Sequence, residues 1–194
     1  KPYLSNDKAC LIDERSGDHL TIAEGIARLR TGLRTPKHCI RLVGLSGNGK
    51  TRLVQALFEE GLGEDPLDTS LAVYTDYSEE TDPTARDMAR ELIAQRQRAI
   101  LIVDNCNPAT HSELARLCSV ETSTISLITV EYDVREDEPE QTDVFRLQSA
   151  SPEIITEWIK QSFPDISQVD REKLAEFSDG NFRVARALAD TLGK

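Results

Sequence analysis

The densest chemistry in the chain lies in the eight residues Gly44-Leu45-Ser46-Gly47-Asn48-Gly49-Lys50-Thr51. They fit G-x-x-x-x-G-K-[ST] at every fixed position. Gly44 and Gly49 permit backbone shapes and close approaches that a Cβ would block. In such a loop the backbone N–H groups converge on an anion, and the positive end of the following helix faces the same point. Lys50 supplies a mobile point charge for terminal phosphates. The Thr51 hydroxyl is placed to ligate Mg2+. Gly44, Ser46, Gly47, Asn48, Gly49, Lys50, Thr51 and Arg52 are therefore the candidate nucleotide-contacting residues. A second constellation, Ala99-Ile100-Leu101-Ile102-Val103-Asp104, is an apolar run ending in an acid. As a strand it would bring Asp104 beside Thr51 to hold Mg2+ through water. The alternative use of such an aspartate is a helix cap.

The flanking patterns supply the elements that must hold these residues. Cys39-Ile40-Arg41-Leu42-Val43 predicts a buried strand before the loop. Leu53, Val54, Leu57 and Phe58 share one face of a helix after it, with Gly61 as its stop. Thr21 and Glu24 form a capping box for a helix to about Leu33. Further strands are expected at Leu71–Asp76, Ala99–Val103, Ile125–Val130 and Val144–Leu147. Asp82-Pro83 is expected to open a helix, and a short helix is expected from His111 to Cys118. Strands alternating with helices predict an α/β domain, a parallel five-stranded sheet covered by helices on both faces. From Ser151 onward the pattern is helical only. Stripes at Ile154/Ile155/Trp158/Ile159, Leu174/Phe177 and Ala185/Leu188/Ala189/Leu192 predict a small helical lid bundle. The organisation is thus an N-terminal extension (1–20), a nucleotide-binding domain (21–149) and a helical lid (150–194).

Composition narrows the partners. A formal net charge of −11 repels nucleic-acid phosphates and anionic lipids, so direct nucleic-acid binding by this chain is not expected. The longest apolar run, Ala99–Val103, is far too short to span a membrane. The four cysteines, Cys10, Cys39, Cys106 and Cys118, form no C-x-x-C pair, which suggests reduced thiols and a cytoplasmic setting. Cys106, His111 and Cys118 lack a fourth zinc ligand and match no common spacing, so buried thiols and a surface histidine are expected instead. Glu136–Glu140 reads as a solvated acidic loop. The chain starts at Lys1 rather than Met and is expected to be a piece of a longer protein.

Gly44–Thr51, Ile100–Asn105 and Ser178-Asp179-Gly180-Asn181-Phe182-Arg183-Val184-Ala185 together resemble the nucleotide-binding core of STAND-type ATPases, signal-transduction relatives of AAA+ proteins. The resemblance covers roughly residues 20 to 193. It implies ATP/ADP and Mg2+ as ligands, slow ATP hydrolysis, and a lid that switches the protein between a closed monomer and an open homo-oligomer. It also implies effector and sensor domains outside this stretch. The Leu127–Asp133 stretch suggests a bacterial type, with signalling or antiphage defence as the setting.

In that family's branch of phosphate-loop ATPases a glutamate usually neighbours the Mg2+ aspartate and polarises the attacking water. Here the residue is Asn105, whose amide can hydrogen-bond a water but cannot accept its proton. Either hydrolysis is slow or another carboxylate serves. Glu131, just past the fourth strand, is the stronger candidate, and Asp76 the other. Thr129 is placed to sense the γ-phosphate, although threonine is also simply a good strand former. Arg183 resembles the second sensor of AAA+ proteins, an always-charged fork reaching back from the lid to the phosphates. Arg186 is its alternative, expected to face solvent or the acidic sheet domain. Many family members carry an arginine where this chain has Glu131, a departure that bears on the role of this strand.

An AAA+-like motor or loader acting on nucleic acid or protein is the main alternative. A motor needs a good catalytic carboxylate and an arginine finger. Asn105 argues against it, and the candidate finger, Arg135, sits in the acidic loop. The absence of N-K-x-D disfavours a GTPase, and the helical C-terminal part disfavours a small-molecule kinase. Intact Lys50, Thr51 and Asp104 argue that nucleotide binding, at least, persists.

Overall fold

Three five-residue runs bury every side chain: β3 (Cys39–Val43), β5 (Ile100–Asp104) and β6 (Ser126–Val130). A strand buried on both faces needs helices above and below, and the pairing supplies a parallel sheet between two helical layers. In the computed structural model, which describes residues 3–4, 8–131 and 142–192, these strands join β1 (Ala9–Asp13), β2 (Asp18–Thr21), β4 (Ala72–Asp76) and β7 (Thr142–Leu147). The order is β2-β1-β7-β3-β6-β5-β4. β7, β3, β6, β5 and β4 run parallel. β1 and β2 run antiparallel at one edge.

The sheet therefore has seven strands and is mixed, not five and all parallel as the sequence suggested. The extra strands come from the polar stretch read as an N-terminal extension. Leu11 opposes Leu147 and is fully buried, while most of the hairpin around it is polar, so the pattern is too short to read as a strand. The placement of β6 between β3 and β5 sets a full strand between the phosphate-loop strand and the acidic strand.

One face is covered by α1 (Ile22–Arg34) and α2 (Lys50–Ala56), whose Leu29, Leu33, Leu53 and Leu57 side packs on Ile40, Leu42 and Ile128. The other is covered by α3 (Ala85–Ala94) and α4 (Pro108–Cys118), around Ala89, Leu114, Leu101, Val103 and Leu127. The α1 capping box forms as expected, with Thr21 and Glu24 satisfying each other's backbone N–H groups. Two helix starts differ. Thr84, not Asp82-Pro83, caps α3, because its hydroxyl accepts from the Asp87 N–H. Asn107 caps α4, which begins at Pro108 and so precedes His111.

α2 is short, and one residue explains how its end is tolerated. The Arg30 guanidinium is buried and donates to five carbonyls, those of Ala56, Leu57, Glu59, Leu62 and Glu64, at 2.6–3.0 Å. It satisfies the orphan acceptors of the helix terminus and the turn beyond it.

α5 (Pro152–Ser162), α6 (Gln168–Phe177) and α7 (Phe182–Leu192) form a helical bundle around Ile155, Ile159, Leu174, Ala185 and Ala189. Trp158 meets Phe163 and Phe182 edge-on, with centroids 6.1 and 5.6 Å apart. Phe177, expected inside, is 76% exposed, since it falls at the last turn of α6 beyond the bundle's contact face. Arg135 and the acidic stretch Glu136–Glu140 lie outside the described residues.

Candidate nucleotide site

The loop between β3 and α2 is held in a shape that requires glycine. Gly44 adopts φ +147°, and a Cβ there would fall 2.5 Å from the Leu147 carbonyl oxygen. Lys50 opens α2 and turns inward, its Nζ donating to the Gly44 and Leu45 carbonyls at 2.6 and 2.9 Å. Burial holds its pKa below the ordinary lysine value; nearby Asp104 opposes that shift and Arg183 adds to it. Asn48 is buried and its amide donates to the Leu147 carbonyl at 3.4 Å.

Beneath the loop the Thr51 hydroxyl donates to Asp104 Oδ2 at 2.7 Å. The Tyr74 hydroxyl reaches the same oxygen at 3.2 Å, and the Asn105 N–H donates to Asp104 Oδ1 at 2.9 Å. Burial and the charges of Asp104 and Asp76 push the Tyr74 phenol up to about 12, so it remains a donor. Asp104 caps no helix; that task falls to Asn107. A hydroxyl and a carboxylate at the mouth of an anion cradle are hard oxygen donors suited to Mg2+.

The residues weighed as catalytic fall into two groups. Asn105 sits beside Asp104 at φ +51°, and its side-chain N–H donates to Asp76 Oδ1 at 2.9 Å. Asp76 also accepts from the Ser78 N–H and hydroxyl at 2.9 and 2.7 Å. The Asn105 and Ser78 bonds hold the Asp76 pKa below the usual carboxylate value. Glu131 and Thr129 lie on the α4 face of the sheet and are completely buried. Glu131 Oε2 accepts from Arg41 Nε at 2.7 Å, and both side chains are fully buried. The Thr129 hydroxyl donates to Glu131 Oε1 at 3.1 Å and shares a 2.7 Å bond with His111 Nδ1. Nε2 of His111 lies 3.1 Å from the Thr142 hydroxyl. Among the described residues, the hydrogen bonds of Glu131 and Thr129 thus run into this network and not to the phosphate loop.

His111 corrects the expectation of a surface histidine, for it is fully buried. Its place beneath β6 depends on α4 starting a turn earlier than the sequence suggested. Its pairing with Thr129, and the part played by Arg41, had no sign in the sequence, because an arginine inside an apolar run does not announce a partner ninety residues away. The four cysteines are free thiols, and among the described residues no three His, Cys, Asp or Glu side chains come together as a metal site.

The C-terminal helices pack against the loop. The Asn181 side-chain N–H donates to the Ser46 carbonyl at 2.7 Å, and the Phe182 N–H to the Gly47 carbonyl at 3.1 Å. Arg183, in the first turn of α7, has its Cβ close to Gly47, and its charge is felt at Lys50. Arg186 lies exposed and pairs with Asp190 at 3.8 Å. Arg52 is turned away from the loop's interior. It forks onto Glu59 at 2.6 and 2.9 Å and lies 5.2 Å from the Tyr3 ring centroid. Between loop and lid lies a cavity of about 510 Å³, lined by Tyr3, Asn48, Gly49, Leu147, Trp158 and Phe182 among others. Of the cavity-lining residues, Tyr3 and Trp158 were not anticipated; the one signal for them is an isolated tryptophan on a C-terminal helix.

The fold and the loop define a P-loop nucleoside triphosphatase-like domain. The described structure resembles a chain of the Escherichia coli MS115-1 HORMA:CdnC:Trip13 complex, at 13% identity and TM-score 0.50, over 85% of this chain and 76% of that one. It resembles Hsp104 in its closed state with ATPγS and FITC-casein at 14% identity and TM-score 0.50, over 88% of this chain and 41% of that one. A STAND protein with a tetratricopeptide-repeat sensor from Pyrococcus horikoshii aligns at 12% identity and TM-score 0.49. That alignment covers 81% of this chain, which spans only 28% of that one. No family model matches the sequence, and no curated protein matches it. Among the described residues no helix is long and apolar enough to cross a membrane.

Proposed function

We propose that this chain is an ATP- and Mg2+-binding switch module of STAND type, with slow hydrolysis, working within a larger protein. The observation that carries the reading is the Thr51–Asp104 contact of 2.7 Å directly beneath a loop whose lysine is turned inward. On this reading Lys50 exchanges its loop carbonyls for phosphate oxygens, a stronger charge-assisted bond. Thr51 and Asp104 hold Mg2+, which neutralises phosphate charge when bound. The cavity beside Gly49 takes the base against Leu147 and Trp158, and Arg183 approaches the phosphates from the lid.

Slow turnover follows from where the acids are. Asn105 cannot take a proton, Asp76 already accepts three hydrogen bonds, and Glu131 is paired with buried Arg41. We assign Glu131 and Thr129 to supporting the sheet rather than to catalysis. The negative net charge of −11 favours proteins over nucleic acids as partners. Lid movement would convey nucleotide state to effector and sensor domains elsewhere in the protein and favour homo-oligomers when ATP is bound.

Equilibrium ATP binding with and without Mg2+ tests the site. Lys50→Ala should abolish binding, and Asp104→Ala should weaken it chiefly when Mg2+ is present. Unchanged affinity in Lys50→Ala would overturn the assignment.

A further inference from the structure

The lid is tied to the phosphate loop by contacts that involve no nucleotide, and one side chain makes them specific. Asn181 does two jobs at once. Its Oδ1 accepts from the Arg183 and Val184 N–H groups at 3.0 and 3.2 Å, capping α7. Its Nδ2 donates to the Ser46 carbonyl at 2.7 Å across the domain boundary. The Phe182 N–H adds a second bond, to the Gly47 carbonyl.

The loop is shaped to receive this residue. A Cβ on Gly47 would fall 2.3 Å from Asn181 Oδ1 and 2.9 Å from Arg183 Cβ, so only glycine admits the lid this closely. On the lid side, Gly180 is pressed against the hinge: its Cβ would lie 2.2 Å from the Ala150 carbonyl, and its own carbonyl accepts from the Ala150 N–H at 3.0 Å. The turn is thus fixed both to the strand-to-lid hinge and to the loop.

We propose that Asn181 is a positioning residue: a latch that holds the lid on the phosphate loop before nucleotide arrives and slows nucleotide release afterwards. The inference deepens the switch reading and rests on it for the second half only. Arg183 would sense which nucleotide is present; Asn181 sets how readily the lid leaves at all. The latch acts through the carbonyls of Ser46 and Gly47 and so occupies none of the loop's N–H groups.

Asn181→Ser separates the two jobs, since serine caps a helix well but is too short to reach Ser46. Asn181→Asp keeps the cap and places a carboxylate against the Ser46 carbonyl. The chain's single tryptophan, Trp158, lines the cavity that the lid closes and touches Phe182, so its fluorescence reports lid docking. In protein stripped of nucleotide, both variants should melt like the wild type, yet Trp158 should emit further to the red and be quenched more by acrylamide. With N-methylanthraniloyl-ADP as probe, loss of one ordinary hydrogen bond predicts release about fivefold faster in Asn181→Ser. Wild-type Trp158 fluorescence in both variants would overturn the latch. So would loss of the melting transition in both, which would make Asn181 a folding residue. If the probe fails to bind even the wild type, the nucleotide reading falls while the fluorescence still decides the latch.

Discussion

Replacing Glu131 by glutamine separates a catalytic base from a structural anion. Arg41 and Glu131 are fully buried, and their 2.7 Å bond joins β3, which feeds the phosphate loop, to the end of β6. Removing one partner of a buried ion pair costs about 3–5 kcal/mol, because the remaining charge loses a buried counter-charge. In a chain of this size each kcal/mol lowers the melting temperature by about 2–4 °C, so Glu131→Gln should melt roughly 6–20 °C lower. A double variant, Arg41→Met with Glu131→Leu, should recover most of that loss, since an apolar pair of similar volume carries no desolvation penalty. The assay pairs thermal melts with single-turnover ATP hydrolysis, corrected for the folded fraction. Per folded molecule, hydrolysis in Glu131→Gln should stay near the wild-type rate. A general base would instead be worth about 10²–10⁴-fold. A variant that melts like the wild type but loses hydrolysis on that scale would refute the structural assignment.

Two further outcomes follow from Arg30 and Lys50. Arg30→Met removes five hydrogen bonds from the carbonyls that end α2, and charged hydrogen bonds of this kind are worth about 1.5–3 kcal/mol each when broken. Urea unfolding should show a large loss of stability together with weaker ATP binding, and unchanged stability would contradict the role given to Arg30. Lys50 has its pKa lowered by burial in the free protein, whereas bound phosphate would raise it. Above neutrality, ATP affinity should therefore fall as pH rises through the free-state value, earlier than an exposed lysine would dictate. A flat calorimetric profile through the alkaline range would contradict this.

Much of the site was legible because its logic is local. Gly44–Thr51 is contiguous, and Asp104 ends an apolar strand, so the motif and the strand pattern together brought Thr51 and Asp104 to one place. The five parallel strands were legible for the same reason, each being an apolar run. What escaped was set by distant pairing. β1 buries Leu11 fully, and its existence depends on the β7 edge being open to it. The Arg41–Glu131–Thr129–His111 network draws on β3, β6 and α4, and no one of these segments announces it. Glu131 looked like a base because the acid at the end of a strand has the same sequence signature whether it faces a ligand or an arginine. Nothing in the sequence around Arg30 signals that five carbonyls would surround it.

The measurement that bears most directly on the switch reading is ATP hydrolysis by this chain after co-purified nucleotide has been removed. Single-turnover and steady-state rates should be followed alongside Trp158 fluorescence. The account predicts tight Mg2+-dependent binding, a Trp158 change that accompanies binding, and turnover far slower than that change. Brisk multiple turnover would contradict it, because it would require a proton acceptor that Asn105, Asp76 and Glu131 do not provide.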